Sequence, residues 1–552
     1  MGIPAFYSNI VKKYPTIVKH IEMMKKSQLC AFYIDANSII YDVVKQTKPT
    51  KYDTDLIIQN VIIKLETYIK KLNPIHKVFI AFDGVCPLAK IEQQRARRYK
   101  NTNTGIENDI SENFNTILIT SGTEFMKTLT KTIKTHFLKK EKYESCDIIV
   151  SGVEEQGEGE QKIFLDIRKN TNKYSKICVY GLDADLIILS LIGIIKEPEG
   201  FEIFLTREKP HFEFTNSLQH SNCKINDENE LYYLEIHNLF HFIFLEMVNI
   251  KMTLQDTNSQ NIFYDIKKQI VKDYIFISFL LGNDFLPPHF SLNIRTHGLK
   301  TLCNVYNNIL GCNGKTIITQ ETNTINWSNL YILLTEFQKH ETINIQKEYN
   351  QRNKTEQHWE SLNNPELVPL FMRDDEKYIS PIEDHWEHRY YNILFEIDIY
   401  EVETHNDELV KKICKNYLMG LEWNWKYYFC ECPDWLWYYQ YGHYAPLIKD
   451  IASCFIECVV MDEEYYTFFP KDKPKNETII TPEKQLLCVL PRQQLKIVLP
   501  PDIYNTIENF DLYPESVELL WVWKKYLWEA TPKLPHLYLH FIPNTKKNKH
   551  EK

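Results

Sequence analysis

The chain has 552 residues, 44% hydrophobic and 25% charged, a balance that supports a large buried core and excludes a disordered chain. That length allows two to four ordinary domains or one large enzyme core. A formal net charge of −9 does not exclude nucleic acid as a partner, because unevenly placed charges create local fields of either sign. No apolar run reaches the roughly 18 residues that a membrane-crossing helix needs. Met1-Gly2-Ile3-Pro4 lacks the basic flank and apolar stretch of a signal peptide. The chain therefore reads as soluble and cytoplasmic, with no membrane partner. Thirteen cysteines run from Cys30 to Cys488, and only Cys430 and Cys432 lie close together. That spacing suits free thiols in a reducing compartment better than structural zinc.

Taken in chain order, four apolar, β-branched runs end in acidic or glycine-containing loops. They are Leu29–Ile34 before Asp35, Lys77–Phe82 before Asp83, Asp147–Val150 before Gly152, and Ile177–Tyr180 before Gly181. Short continuous apolar runs separated by helical spacing are the mark of buried parallel strands. Asp55–Leu72, Thr123–Phe137 and Glu160–Arg168 are the expected connecting helices. The pattern is α/β, doubly wound, with ligands gathering beyond the carboxyl ends of the strands. From 318 to 366 the chain turns polar, which suggests a linker or an exposed helical insertion. The expected organisation is a first region at 1–317, this insertion, an aromatic-rich second region at 367–543, and a basic tail at 544–552.

Seven acids stand at or beside the expected strand ends. They are Asp35, Asp83, Glu158, Glu160, Asp183, Asp185 and Asp284. A lone Asp after a strand is usually a cap or turn residue, so each acid alone says little. Their joint placement at one sheet edge says more. Crowded carboxylates repel one another unless cations neutralise them, and hard oxygen ligands suit Mg²⁺ or Mn²⁺. Glycine is scarce, yet Gly84, Gly157, Gly159, Gly181 and Gly282 lie within two residues of these acids. The expected centre is a two-metal phosphodiester site.

The segment Lys90-Ile-Glu-Gln-Gln94-Arg-Ala-Arg97-Arg98 follows Asp83. Only ten arginines occur in the chain, and Arg95, Arg97 and Arg98 fall within four residues. Lys90, Gln94, Arg97 and Arg98 share one helix face. Such a face is usually a solvated one, but guanidinium groups also grip phosphate oxygens in a fork. Its place just after an expected metal ligand favours a terminal phosphate.

Together these residues resemble the Xrn 5′→3′ exoribonucleases. The resemblance is carried by the opening Met1-Gly-Ile-Pro-Ala-Phe-Tyr7, by Asp35-Ala-Asn37, and by Asp83-Gly-Val-Cys-Pro-Leu-Ala-Lys90 with its Gln-Gln-Arg-Ala-Arg-Arg sequel. Gly157-Glu-Gly-Glu160, Tyr180-Gly-Leu-Asp-Ala-Asp185 and Gly282-Asn-Asp284-Phe-Leu-Pro287 continue it. Trp386-Glu-His-Arg-Tyr-Tyr391, Trp435-Leu-Trp437, His443-Tyr-Ala-Pro446 and Leu490-Pro491 extend it into the second region.

The resemblance implies a parallel-sheet, metal-dependent nuclease core of PIN or flap-nuclease type, with a mostly helical, aromatic-rich second region packed against it and closing the site. It implies two Mg²⁺ or Mn²⁺ ions held by the seven acids, and a 5′-monophosphate of decapped, single-stranded RNA held by Lys90, Gln94, Arg97 and Arg98. The family's base-stacking histidine is replaced by Tyr41, which can still stack. Its tryptophan partner is Trp435 or Trp437, each of which could equally be core. The long C-terminal extension of cytoplasmic members has no counterpart here, and a monomer is expected. The implied activity is processive, two-metal hydrolysis of RNA to 5′-mononucleotides. Two rivals differ from it. A flap-type DNA endonuclease would not need the Lys90–Arg98 face, and an inactive RNA-binding scaffold would usually lack one of the acids.

Overall fold

The computed structural model describes residues 2–26, 28–50, 53–103, 114–138, 146–181, 183–208, 230–248, 260–357, 365–397, 403–459, 466–470, 480–505, 507 and 510–537. The expected basic tail at 544–552 lies outside them. The chain forms two compact units. One comprises Phe6–Val85 and Glu112–Phe244; the other comprises Met1–Ala5, Cys86–Ser111 and Leu245–Lys552.

The first is a sheet unit. Its strands are β1 (Val18–His20), β2 (Ala31–Asp35), β3 (Lys77–Ala81), β4 (Asp147–Ser151), β5 (Lys176–Tyr180), β6 (Glu202–Glu208) and β7 (Leu231–Glu235), in spatial order β1-β7-β6-β5-β2-β3-β4. From β6 to β4 every pairing is parallel. At the other edge β7 runs antiparallel to both β6 and β1. All residues of β2 and β3 are buried, which is why these strands read as unbroken apolar runs rather than alternating ones. Their register aligns Asp35 with Ala81, and Ala81 with Ser151, so the loops after these strands leave from one edge.

Helices cross between the strands. In chain order the first are α1 (Phe6–Lys13), α2 (Asn37–Thr47), α3 (Thr54–Leu72), α4 (Leu88–Asn103), α5 (Glu124–Leu138), α6 (Gly159–Lys169) and α7 (Asp185–Lys196). The three expected connecting helices coincide with α3, α5 and α6. On α3, Ile57, Ile58, Val61, Leu65, Tyr68 and Ile69 are buried, at the spacing of one helix face. All of α7 except its last residue is buried. β1, β6, β7 and α7 were not legible in the sequence.

The second unit contains α4 and is mostly helical, with α8 (Ile236–Val248) leading into it and a short antiparallel pair of strands at Leu519–Leu520 and Thr531–Pro532. It comprises α9 (Gln260–Ser278), α10 (Gly298–Ile309), α11 (Trp327–Gln357), α12 (Asp374–Ile379), α13 (Trp386–Phe395), α14 (Glu403–Phe429), α15 (Ile448–Cys458) and shorter elements beyond. The polar stretch at 318–366 holds α11, which packs on α15. Leu330, Leu333, Leu334, Phe337, Ile345 and Tyr349 are buried along one side of it. Its polarity is that of one helix face, not of a linker. On α14, Trp423 and Trp425 are fully buried. Among the described residues no helix is long and apolar enough to cross a membrane, and the described cysteines are free thiols.

Candidate active site

Six of the seven acids lie in the sheet unit, at or just beyond the carboxyl ends of β2, β3 and β5 and in the loop after β4. Asp35 closes β2 and is buried. Asp83 follows β3 and is held from two sides. Its Oδ1 accepts the Gly159 N–H at 2.7 Å, and its Oδ2 accepts Asn37 Nδ2 at 2.6 Å. Asn37 Oδ1 in turn accepts the Asp83 N–H at 3.2 Å. Glu158 and Glu160 flank Gly159 at the start of α6, and both are buried. Asp183 is exposed in the loop after β5, and Asp185 opens α7, buried.

Two glycines let neighbouring backbone approach these acids closely. A Cβ at Gly159 would fall 2.9 Å from Asp35 Oδ1 and 3.4 Å from Asp83 Oδ1. Only a residue without a side chain lets the Glu158–Glu160 turn approach both carboxylates. A Cβ at Gly84 would lie 1.8 Å from the Glu155 carbonyl oxygen. That close packing lets Gly84 N–H bond Gly157 O at 2.9 Å while Gly157 N–H bonds Val85 O at 2.7 Å.

The electrostatics follow from this crowding. Burial, then the charges of Asp83 and Asp183, push the Asp35 carboxyl well above its ordinary value. Carboxylates crowded in this way repel one another and hold onto protons unless a cation joins them. Lys162 on α6 supplies a compensating charge to Asp83. Its Nζ donates to Phe82 O at 2.8 Å and to Gly152 O at 2.7 Å, clamping the ends of β3 and β4 together. Burial lowers this ammonium to about 8, against the opposing pull of Asp83. Among the described residues no group of three or more His, Cys, Asp or Glu side chains is arranged to hold a metal ion. The donor set nonetheless fits a hard divalent cation. It offers carboxylate oxygens alone, mutually repelling, around a glycine turn with no side chain to fill the space.

The basic face lies on α4 in the helical unit. Lys90 Nζ reaches Asp284 Oδ2 at 2.8 Å and sits 5.8 Å from the centre of the Phe285 ring. Gln94 and Arg97 are half-buried and Arg98 is buried. Leu88 N–H, at the start of α4, donates to Trp435 O at 2.8 Å. Trp435 is half-buried, whereas Trp437 is buried and stacks on Trp423 with centroids 5.2 Å apart. Tyr41 lies on α2 with its side chain exposed.

The sequence of residues 1–209 matches the family model described as "XRN 5′-3′ exonuclease N-terminus". Residues 263–378 and 372–540 match the model "Xrn1 helical domain", which spans about half of the chain. The chain belongs to the Xrn family. It is 27% identical to 5′-3′ exoribonuclease 1 of Saccharomyces cerevisiae over 96% of its own length and 42% of the relative's. It is 24% identical to 5′-3′ exoribonuclease 2 of Gallus gallus, covering 97% of this chain and 68% of the relative. Against 5′-3′ exoribonuclease 1 of Homo sapiens the identity is 27%, with 97% and 33% covered. The chain thus spans less than half the length of the yeast and human relatives.

Three residues of this Xrn chain have roles that the sequence reading missed. Asn37 orients Asp83, and its only signal was its place two residues after Asp35. Lys162 stands among Glu160, Ile163 and Ile167 on the buried side of α6, and a lysine on an apolar face was the available hint. Arg95, counted with the arginine cluster, is structural. It is buried and donates to Pro535 O at 2.7 Å and Leu512 O at 3.0 Å, tying α4 to the C-terminal segment.

Proposed function

We propose that this chain is a processive 5′→3′ exoribonuclease that degrades single-stranded, 5′-monophosphorylated RNA to 5′-mononucleotides in the cytoplasm. The observation that carries the reading is the convergence of Asp35, Asp83 and the Glu158–Glu160 turn around Gly159, within a chain of the Xrn family. Asp35, Asp83, Glu158, Glu160, Asp183 and Asp185 are the proposed ligands of two Mg²⁺ or Mn²⁺ ions, and Asp284 joins them on sequence grounds. When bound, the ions would stabilise charge developing on the phosphodiester and lower the pKa of the attacking water.

The chain's own residues do the rest. Asn37 and the Gly159 N–H hold Asp83 in one orientation, so its carboxylate is set before substrate arrives. Lys162 fixes the backbone from which Asp83 projects. Lys90, Gln94, Arg97 and Arg98 receive the 5′-phosphate, which sets the cut after the first nucleotide. Tyr41 and Trp435 stack on bases. Trp435 is preferred to Trp437 because Trp437 already stacks within the core. The regional division at 317, 366 and 543 and a monomeric, membrane-free state belong to the same proposal, as does a role in mRNA decay. Digestion of RNAs bearing a 5′-monophosphate, triphosphate or hydroxyl, with and without Mg²⁺, tests it. Rapid, Mg²⁺-dependent loss of the monophosphate form alone is expected; equal rates on all three ends would contradict it.

A further inference from the structure

The two charges that end β6 have different surroundings. Glu202, at its start, pairs with Lys176 at 2.7 Å and stays partly exposed. Glu208, at its carboxyl end, is enclosed by side chains of α3 and β5. Its Oε1 accepts Tyr68 Oη at 2.5 Å and Tyr180 Oη at 2.6 Å, and Lys64 Nζ lies 3.5 Å away. Both tyrosines are fully buried, with ring centroids 5.1 Å apart.

Burial opposes the charged form of Glu208, but the bonds from Tyr180 and Tyr68 and the Lys64 charge outweigh it and hold this carboxyl below its ordinary range. The carboxylate is therefore ionised at neutral pH and can only accept hydrogen bonds. Tyr180 gives its proton to Glu208, which leaves the Tyr180 oxygen as an acceptor.

Two of these partners lead on to α2. Tyr180 Oη meets the Ser38 hydroxyl in the first turn of α2. Ser38 Oγ also lies 3.1 Å from the Asp35 carbonyl oxygen, so its single proton can serve either acceptor. Lys64 Nζ pairs with Asp42 in the second turn. Ser38 and Asp42 are four residues apart and so share one helix face. Glu208 thus stands at the junction of two ties to α2, one through a phenol and one through an ammonium.

What α2 carries gives this junction its consequence. Asn37 opens the helix and holds Asp83 through Nδ2 at 2.6 Å and through Oδ1 at 3.2 Å. The N-cap position is Ala36, which supplies no side-chain bond. The local fastening that usually fixes a first turn is therefore absent, and the tie from Tyr180 comes from outside the helix. Hydrogen bonds weaken as distance and angle depart from the ideal, so a small shift of this turn would loosen the grip of Asn37 on Asp83.

We propose that Glu208 is a positioning residue of the candidate active site. By anchoring Ser38 through Tyr180 and Asp42 through Lys64, it fixes the turn of α2 from which Asn37 orients Asp83. The proposal rests on the reading of Asp83 as a metal ligand. Tyr68 supplies the comparison with a purely structural role. Its hydroxyl bonds the same oxygen of Glu208, yet its removal leaves both ties to α2 in place.

The test is calorimetric titration of the intact chain with Mn²⁺, without RNA, alongside the melting temperature of each variant. Glu208→Met removes the acceptor at similar size and should weaken Mn²⁺ binding about three- to tenfold, less than the roughly 10- to 100-fold typical for a direct partner of a metal ligand. Tyr180→Phe removes one hydroxyl and should act in the same direction, and it decides the matter if Glu208→Met does not fold. Tyr68→Phe should lower the melting temperature and leave the affinity unchanged. In an Asn37→Ala chain neither Glu208→Met nor Tyr180→Phe should weaken binding further, because their route to Asp83 runs through Asn37. Unchanged affinity in Glu208→Met and Tyr180→Phe, equal weakening by Tyr68→Phe, or full additivity with Asn37→Ala overturns the inference. A wild-type chain that binds no Mn²⁺ overturns the metal reading beneath it, a result that none of the other outcomes can mimic.

Discussion

Lys90 and Asp284, 194 residues apart in sequence, meet through a 2.8 Å bond between Nζ and Oδ2. Their side chains are only 12% and 6% exposed. One was expected at a 5′-phosphate and the other at a metal, yet each neutralises the other. In a site this enclosed, breaking a buried ion pair by removing one partner typically costs about 3–5 kcal/mol. Lys90→Met should therefore destabilise the chain by a few kcal/mol, and Lys90→Met with Asp284→Asn should recover much of the loss. Urea denaturation of both variants checks this. Equal destabilisation by the single and double variants would mean that the pair is not coupled. Neither variant is expected to retain activity.

Asp183→Asn and Glu158→Gln should each reduce single-turnover cleavage by about a hundredfold or more, because metal catalysis depends on the full ligand set. RNA affinity, measured by filter binding, should change little, since the basic face of α4 is untouched. Chelation should abolish cleavage in wild type and restore it only when Mg²⁺ or Mn²⁺ is returned. Near-normal turnover by either variant at saturating Mg²⁺ would remove that acid from the centre.

The aromatic residues separate by role. Tyr41→Ala should shorten processive runs, with stacking on one base worth about 1–3 kcal/mol, whereas Tyr41→Phe and Tyr41→His should keep them. Trp435→Ala should act on processivity in the same way. Trp437→Ala should instead destabilise the fold by about 3–5 kcal/mol, as truncation of a buried tryptophan does. Melting temperature and product-length distribution, measured together, distinguish the two outcomes.

Asp273 on α9 gives a pH signature of the helical unit. Its Oδ2 accepts from Tyr306 Oη at 2.7 Å and Ile317 N–H at 2.9 Å, and its Oδ1 accepts from Ile318 N–H at 2.9 Å. Burial outweighs these bonds and pushes the carboxyl up to about 7. The folded chain then holds this proton more tightly than the unfolded chain. Its contribution to stability is largest near pH 4 and falls away as pH rises through 7, by at most about 4 kcal/mol. Asp273→Asn should flatten that slope between pH 5 and 8 in urea denaturation. A slope identical to wild type would mean that the carboxyl is ionised throughout.

The sheet centre and its acids were legible because burial on both faces makes Leu29–Ile34, Lys77–Phe82 and Ile177–Tyr180 continuous apolar runs, each stopped by a charge or glycine. The edge was not. Val18–His20 is three residues long, and Glu202–Glu208 carries charge at both ends, so neither shows a period. In α11 the buried Leu330 to Tyr349 series was diluted by the polar residues of its outer face. The placement of the acids at or near the strand ends could be read from sequence, but the hydrogen-bond partners around them could not. Asn37 and Lys162 act through bonds to Asp83 and to the carbonyls of Phe82 and Gly152, and such pairings across strands leave no pattern along the chain.

The most direct measurement is the fate of the first nucleotide. A single-stranded RNA carrying a labelled 5′-monophosphate is mixed with the chain and Mg²⁺, and its products are resolved within the first turnovers. The account predicts that the label leaves at once as a 5′-mononucleotide, while a label at the 3′ end stays in long RNA until each strand is consumed. Early 5′ label in oligonucleotides, or release of the 3′ end first, would contradict it.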